Sequence, residues 1–559
     1  MSNDVPVQPS PELCIETVKN WIETCDFHPI CSSVAMTKLP KRVLDLGPHR
    51  FRNAISLLET GDEVYGRYMT LSHCWGSKQP ITTTRATIPH RITSIRMSEL
   101  PQTFRDAILM CHGLGVQYLW IDSLCILQDD RLDWEQESAK MAAVYTGSYL
   151  NIAATHARNS VEGCFSCRWT EVDVNMSSLT IPIRSYEIKE SVQGHDFSVH
   201  VRLALDRGHG DFRVGIGTQP YQRRAPLFSR AWVFQERCLA PRTVHFHAHE
   251  LIWECKTAVR CECKGTDATD WGHGWHRGWK ALHLEIEVAD FQELSDLWLE
   301  VVVRFSSLRL SHESDRLPAL SGIASRFCGS KLKIYHAGLW REDLARGLLW
   351  FVGFDWISSS KRPLPLQAPT WSWASVLLDK EVDNIFYPFI QDLQNGFHQE
   401  PHFGVLEVRC CSSGLNPFGE VSPGGMLVLR SSFTSAVFSV RKNLRPFVQL
   451  VLDSDIDGED GVVLISVETM YSDVKLSKSD IDEEPTVTSR IVHCLFLGSS
   501  TPNSGDGSER GLDYGLIIKP STSSEDTYER IGFIQTPKED GVSYGNWFNQ
   551  TAIGVFRLE

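Results

Sequence analysis

In the segment YMTLSHCWG, beginning at Tyr68, an apolar run stops at Ser72-His73; in VQYLWIDSLCILQD, beginning at Val116, another stops at Asp122. Polar groups at the carboxyl ends of buried strands line the ligand crevice of open parallel sheets. Ser72 and His73 offer a hydroxyl, an imidazole and backbone N–H groups to a nucleotide, and Asp122 can accept a hydrogen bond from a ribose hydroxyl. The plainer alternative is that all three cap loops and satisfy buried backbone. A further acid stands in SRAWVFQE, beginning at Ser229, where a helix places Trp232 and Glu236 four residues apart on one face. A carboxylate beside an indole has a raised pKa and can polarise a bound hydroxyl. Its competing role is partner to Arg230 or Arg237.

Thiols are the next source of chemistry. Cys74 and Cys125 lie near these polar groups, but adjacent side chains on a strand point to opposite faces, so His73 cannot serve Cys74 as a base and both read as structural. Cys25, His28 and Cys31 have ligand-like spacing, with Cys14 as a fourth candidate. Structural zinc usually shows two clear pairs, so packing thiols are favoured and no metal site is expected. Cys255, Cys261 and Cys263, near His245, His247 and His249, lack a CxxC pair. Asp453, Asp455 and Asp457 imitate a calcium loop, but Leu464 stands where a bidentate glutamate is required, which leaves an acidic hairpin turn.

Positioning these groups requires alternating elements. Thr103 with Asp106 resembles a capping box, Phe104, Ala107, Ile108 and Cys111 share a helical face, and Gly113-Leu114-Gly115 stops the helix. Asp133 and Gln136 open a second helix, whose Trp134, Ser138, Met141, Ala142 and Tyr145 share a face, and YLNIAA from Tyr149 reads as a strand. The pattern predicts an α/β core, with the YMTLS and YLWID strands parallel and adjacent and Ser72 and Asp122 at one sheet edge.

The ordered segments YMTLSHCWG, LPQTFRDAI, YLWIDSLCILQDD, WEQESAKMAAVYTGSYLNIAA and SRAWVFQERCLAPRTVHF resemble the motifs of the heterokaryon incompatibility (HET) domain of filamentous fungi. Residues 21–31 and LPKRVLDLG resemble the family's lead-in, and DRLPALSGIA, AGLWREDLARGLLW and APTWSWASV resemble its downstream extension. HET domains are regarded as distant relatives of TIR domains, and SRAWVFQE resembles the TIR segment that carries the glutamate of NAD-cleaving members. The resemblance implies a TIR-like or flavodoxin-like parallel sheet, with NAD as substrate and no cofactor required. Glu236 would be catalytic, orienting the nicotinamide ribose, with Ser72, His73 and Asp122 near the nucleotide. It also implies a cytoplasmic role in fungal non-self recognition and regulated cell death, among other proteins of that pathway or second copies of the chain. The alternative from a different class is a non-catalytic signalling or interaction module acting by self-association.

Composition agrees with an intracellular setting. The 16 cysteines are spread through apparent core segments of a large chain rather than packed into a small framework. A formal charge of −14, with no basic stripe, argues against nucleic acid as a partner, and no apolar run approaches a membrane span. With 42% hydrophobic residues the chain can bury several cores. The texture predicts a leader over residues 1–60, the α/β domain over 61–255, a helix- and Trp-rich extension over 256–400 and a β-rich domain over 401–559.

Overall fold

Strand formation in the first half follows from apolar runs flanked by turn residues. All five residues of Tyr68–Ser72, all four of Leu150–Ala153 and all five of Arg242–Phe246 are buried, as expected of strands covered on both faces. The computed structural model describes residues 5–6, 8–31, 36–47, 53–61, 63–165, 171–173, 180–182, 186–192, 195–201, 212, 225–264, 279–352, 362–363, 366–378, 384–388, 396–422, 424–440, 448–452, 470–472, 490–500, 512–521, 524–539, 542–543 and 552–559. The chain divides into two compact units, Met1–Glu285 and Ile286–Glu559.

In the first unit the principal elements are α1 (Pro11–Asp26), β1 (Arg42–Asp45), β2 (Ala54–Glu59), β3 (Tyr68–Ser72), β4 (Ile95–Arg96), α2 (Gln102–Gly113), β5 (Tyr118–Trp120), α3 (Arg131–Thr146), β6 (Leu150–Ala153), α4 (Ala231–Leu239), β7 (Arg242–Phe246), β8 (Leu251–Cys255) and β9 (Val259–Cys261). They form a nine-stranded sheet in the order β9-β8-β7-β6-β3-β5-β1-β2-β4. The four central strands β7, β6, β3 and β5 are mutually parallel. Beyond them β8 and β1 run antiparallel to their neighbours. The sheet is therefore mixed, with the expected parallel arrangement confined to its centre. Taken in chain order, the parallel strands lie as second, first, third and fourth, so the order reverses between β3 and β6.

Helix α2 buries Phe104, Ala107, Ile108 and Cys111 as its periodicity requires, and Gly115 takes the left-handed φ of 69° after its end. The expected capping box is not formed, because the N-cap is Pro101. Thr103 Oγ1 instead accepts from the Gly163 amide (3.2 Å), and Asp106 accepts from the Cys164 amide (2.7 Å), so both hold a loop rather than their own helix. Helix α3 is capped by Asp130, which accepts from the Leu132 and Asp133 amides. Asp133, expected at the helix start, is buried and paired with Lys41 and Arg42. The strand expected to run from Val116 is only three residues long, because Asp122 opens a single helical turn, Asp122–Cys125.

In the second unit α5 (Phe291–Ser306) carries a capping box between Asp290 and Glu293, and α6 (Pro318–Phe327) follows. The β-rich end contains β10 (Phe397–Gln399), β11 (Gly404–Arg409), β12 (Met426–Val440), β13 (Arg490–Ser500), β14 (Leu512–Pro520), β15 (Tyr528–Glu539) and β16 (Ala552–Leu558). Its pairing path is β10-β13-β14-β15-β16-β12-β11. Because β12 also pairs with β13, the path returns on itself in the manner of a barrel. The acidic turn expected at residues 453–458 lies outside the described residues. Among the described residues no helix is long and apolar enough to cross a membrane.

Candidate active site

Ser72 closes β3, next to the point where the strand order reverses. The parallel register, Thr70 opposite Asn151 on β6 and opposite Trp120 on β5, brings Ser72 beside Ala153 and level with Asp122. Thr70 and Ser72 are two residues apart and share a sheet face. Thr70 Oγ1 donates to Asn151 Oδ1 (3.0 Å), and Asn151 Nδ2 donates to Ser72 Oγ (3.0 Å). The Ser72 hydroxyl, having accepted from Asn151, donates to Glu236 Oε2. A polar ladder thus crosses two central strands and ends on the carboxylate.

Glu236 comes from α4, the helix that leads into β7. It is only 6% exposed. Burial pushes its carboxyl from 4.5 up to about 7, and the charge of Asp122 adds to the rise. Hydrogen bonds from Ser72 and Tyr145 and the charge of Arg230 act in the opposite sense. Of the two arginines expected as alternative partners, Arg237 forks onto Glu254 through Nε (2.8 Å) and Nη2 (2.7 Å). Arg230 donates to the carbonyl of His73. The neighbouring Trp232 is half-buried and meets Trp134 edge to face at 6.5 Å.

Asp122 is the partly exposed member, its side chain 26% accessible. It accepts from Trp75 Nε1 (2.9 Å) and from the Ser123 amide (2.7 Å). His73 Nδ1 stands 3.9 Å from Asp122 Oδ1, too far for a hydrogen bond, and the ring packs edge-on against Phe104 at 5.0 Å. Burial lowers the imidazole from 6.5 to about 4 against the opposing charge of Asp122, so His73 is neutral near pH 7. After Trp75 the chain turns at Gly76, where φ is +79° and an added Cβ would lie 2.5 Å from that of Asn159. Only glycine fits there without displacing Asn159.

Residues 68–236 match the family described as Heterokaryon incompatibility protein (HET). The chain carries a HET domain. No curated protein and no solved structure matches it. The matched part of the HET domain starts at Tyr68, the first residue of β3, and ends at Glu236. Ser72, Glu236 and Asp122 are brought into one neighbourhood, whereas His73 turns its ring toward Phe104.

Three residues of this neighbourhood had no role in the sequence reading of the site. Asn151 had left a signal, a lone amide inside the apolar strand YLNIAA that must find partners once buried. Tyr145 was legible only as a member of a helix face, because its hydroxyl reaches Glu236 across chain segments far apart in sequence. Trp75 gave no signal. Cys74 and Cys125 are buried and their thiols are raised by that burial, Cys125 to about 12, as suits packing thiols.

Elsewhere in the first unit the structure regroups the cysteines. Cys255 joins Cys25, His28 and Cys31, while Cys261 and Cys263 gather with Glu250. His245 belongs to neither group, since its Nε2 lies 2.8 Å from Glu254 and its Nδ1 3.1 Å from Thr155 Oγ1.

Proposed function

We propose that the protein acts in heterokaryon incompatibility and that its HET domain hydrolyses the bond between nicotinamide and ribose in NAD. The observation that carries this reading is Glu236, a buried carboxyl poised at about 7, held by the Ser72 hydroxyl where the order of parallel strands reverses. Ligands of doubly wound sheets bind at that reversal, and the order of the four parallel strands is that of flavodoxin-like sheets. This supports the TIR-like assignment. In the reaction the bond from C1′ to the pyridinium nitrogen breaks and nicotinamide leaves with the electron pair. Water adds its oxygen to C1′, and its proton passes to the Glu236 carboxylate. Asp122, partly exposed, accepts from a ribose hydroxyl, and Ser72 fixes the carboxylate.

The full chain is incubated with NAD, with and without enforced clustering, and nicotinamide release is followed. Glu236→Gln keeps size and fold but cannot take the proton, so turnover falls by about 10² to 10⁴. Equal turnover in the wild type and a folded Glu236→Gln variant overturns the assignment.

The depth of Glu236, at 6% exposure, favours a second reading in which the carboxyl only ties α4 to β3. The domain is then a non-catalytic module that signals by self-association. Incompatibility that survives Glu236→Gln, without nicotinamide release from the clustered wild type, selects this reading.

A further inference from the structure

We infer that Cys25, His28, Cys31 and Cys255 form a structural zinc site that ties the leader helix to the sheet of the HET unit. Three of the residues lie at the end of α1 and in the turns after it; the fourth ends β8. Their ligand atoms all lie within 4.8 Å of one another. Cys255 Sγ is 3.6 Å from His28 Nδ1. A tetrahedral zinc with Zn–S of about 2.3 Å and Zn–N of about 2.05 Å has an S···N edge of about 3.6 Å. The sequence spacing pointed to Cys14 as the fourth ligand, but the fold supplies Cys255 instead. Two local pairs are therefore absent from the sequence, because the fourth ligand comes from a distant strand.

The surroundings suit bound thiolates. The Ala258 amide donates to Cys255 Sγ (3.3 Å), and the Thr257 hydroxyl lies 3.4 Å from Cys31 Sγ. Donors aimed at sulfur stabilise the anion and orient the ligand. Zinc with three thiolates and a neutral imidazole carries one net negative charge. Beside it Arg242 is fully buried, donates to the Cys31 carbonyl (3.0 Å) and pairs with Asp26. Arg242 Nε and Nη1 have no hydrogen-bond partner among the described residues. An anionic centre next to this guanidinium adds to the counter-charge that Asp26 supplies. Four protein ligands leave no open coordination position, so the role is structural rather than catalytic. Trp21 on α1 packs against Trp253 on β8 at 6.3 Å, so the metal would pin an interface that packing already forms.

The test uses the full chain, purified without chelator and measured for metal by mass spectrometry. The expected content is about one zinc per chain. Cys255→Ser or Cys25→Ser abolishes it, whereas Cys263→Ser, in the neighbouring group with Glu250, leaves it intact. Cobalt(II) in place of zinc gives thiolate charge-transfer bands and intense tetrahedral d–d bands, which His28→Cys retains with a shift toward four-sulfur coordination. If Cys255→Ser fails to fold, the cobalt spectra of the wild type and His28→Cys decide alone. A folded, metal-free wild type, a disulfide among the three cysteines, or loss of zinc with Cys263→Ser but not Cys255→Ser overturns the proposal.

Discussion

The Ser72 hydroxyl donates to the Glu236 carboxylate across 164 positions of sequence, joining the first parallel strand of the sheet to the helix before its last parallel strand. Because Ser72 favours the ionised form of Glu236, removing it pushes a carboxyl already near 7 further up. Ser72→Ala should shift the acid limb of nicotinamide release to higher pH and cost about 1–3 kcal/mol in urea unfolding. An unshifted limb would separate Glu236 from the titration that governs activity.

Glu236 also sets a sign for stability against pH. Folded, it holds its proton up to about 7; unfolded, it releases it near 4.5, so the native state loses stability as pH rises through that window. His73 and His245 act oppositely. Burial lowers both from 6.5 to about 4, so the stability of the neutral rings is present above that range and is lost as pH falls through it. Each group is worth about 3 kcal/mol at most. The melting temperature of the wild type relative to Glu236→Gln should therefore fall as pH rises from about 4.5 to about 7. A difference between the two proteins that stays constant across that window would refute the raised carboxyl.

The parallel centre of the sheet was legible because YMTLS and YLWID are apolar on both faces, a pattern that surface strands do not show. Local rules failed where a residue is used over long range. Thr103 and Asp106 have the spacing of a cap but serve the loop at residues 163–165. Cys255 has its sequence neighbours in Cys261, Cys263 and three histidines, yet meets His28 only in the fold. Tyr145 likewise reads as a core aromatic until Glu236 is placed beside it.

A buried triad begins at Arg237, one residue after Glu236. Arg237 forks onto Glu254, and His245 Nε2 contacts the same carboxylate at 2.8 Å. Burial opposes its ionisation, but Arg237 and His245 prevail and hold Glu254 well below the usual carboxylate range. Glu254→Gln keeps the shape but removes the counter-charge of a buried guanidinium, which costs about 3–5 kcal/mol. Denaturant unfolding measures this directly, and a change within experimental error would mean that the triad contributes no net stability.

The last prediction concerns the second unit. Arg530, on β15, is fully buried, lies 3.6 Å over the Trp350 ring and donates to the carbonyls of Leu348 (3.2 Å) and Trp350. Arg362 Nη2 donates to the carbonyl of Arg530 (2.6 Å), and the Thr370 amide donates to the main-chain oxygen of Glu559 (2.9 Å). The tryptophan-rich segment thus takes hydrogen-bond partners from the β-rich strands, and removing those strands strands its buried carbonyls. Each buried polar group left without a partner costs about 1–3 kcal/mol, so several losses together exceed the stability of a small fragment. A chain shortened near residue 400 should leave residues 286–400 rapidly digested by protease while the first unit persists. Arg530→Lys, which keeps charge but not the planar fork, should weaken the same unit without affecting the first. A protease-resistant fragment beginning near residue 286 and ending near residue 400 would show that the tryptophan-rich segment folds without the barrel.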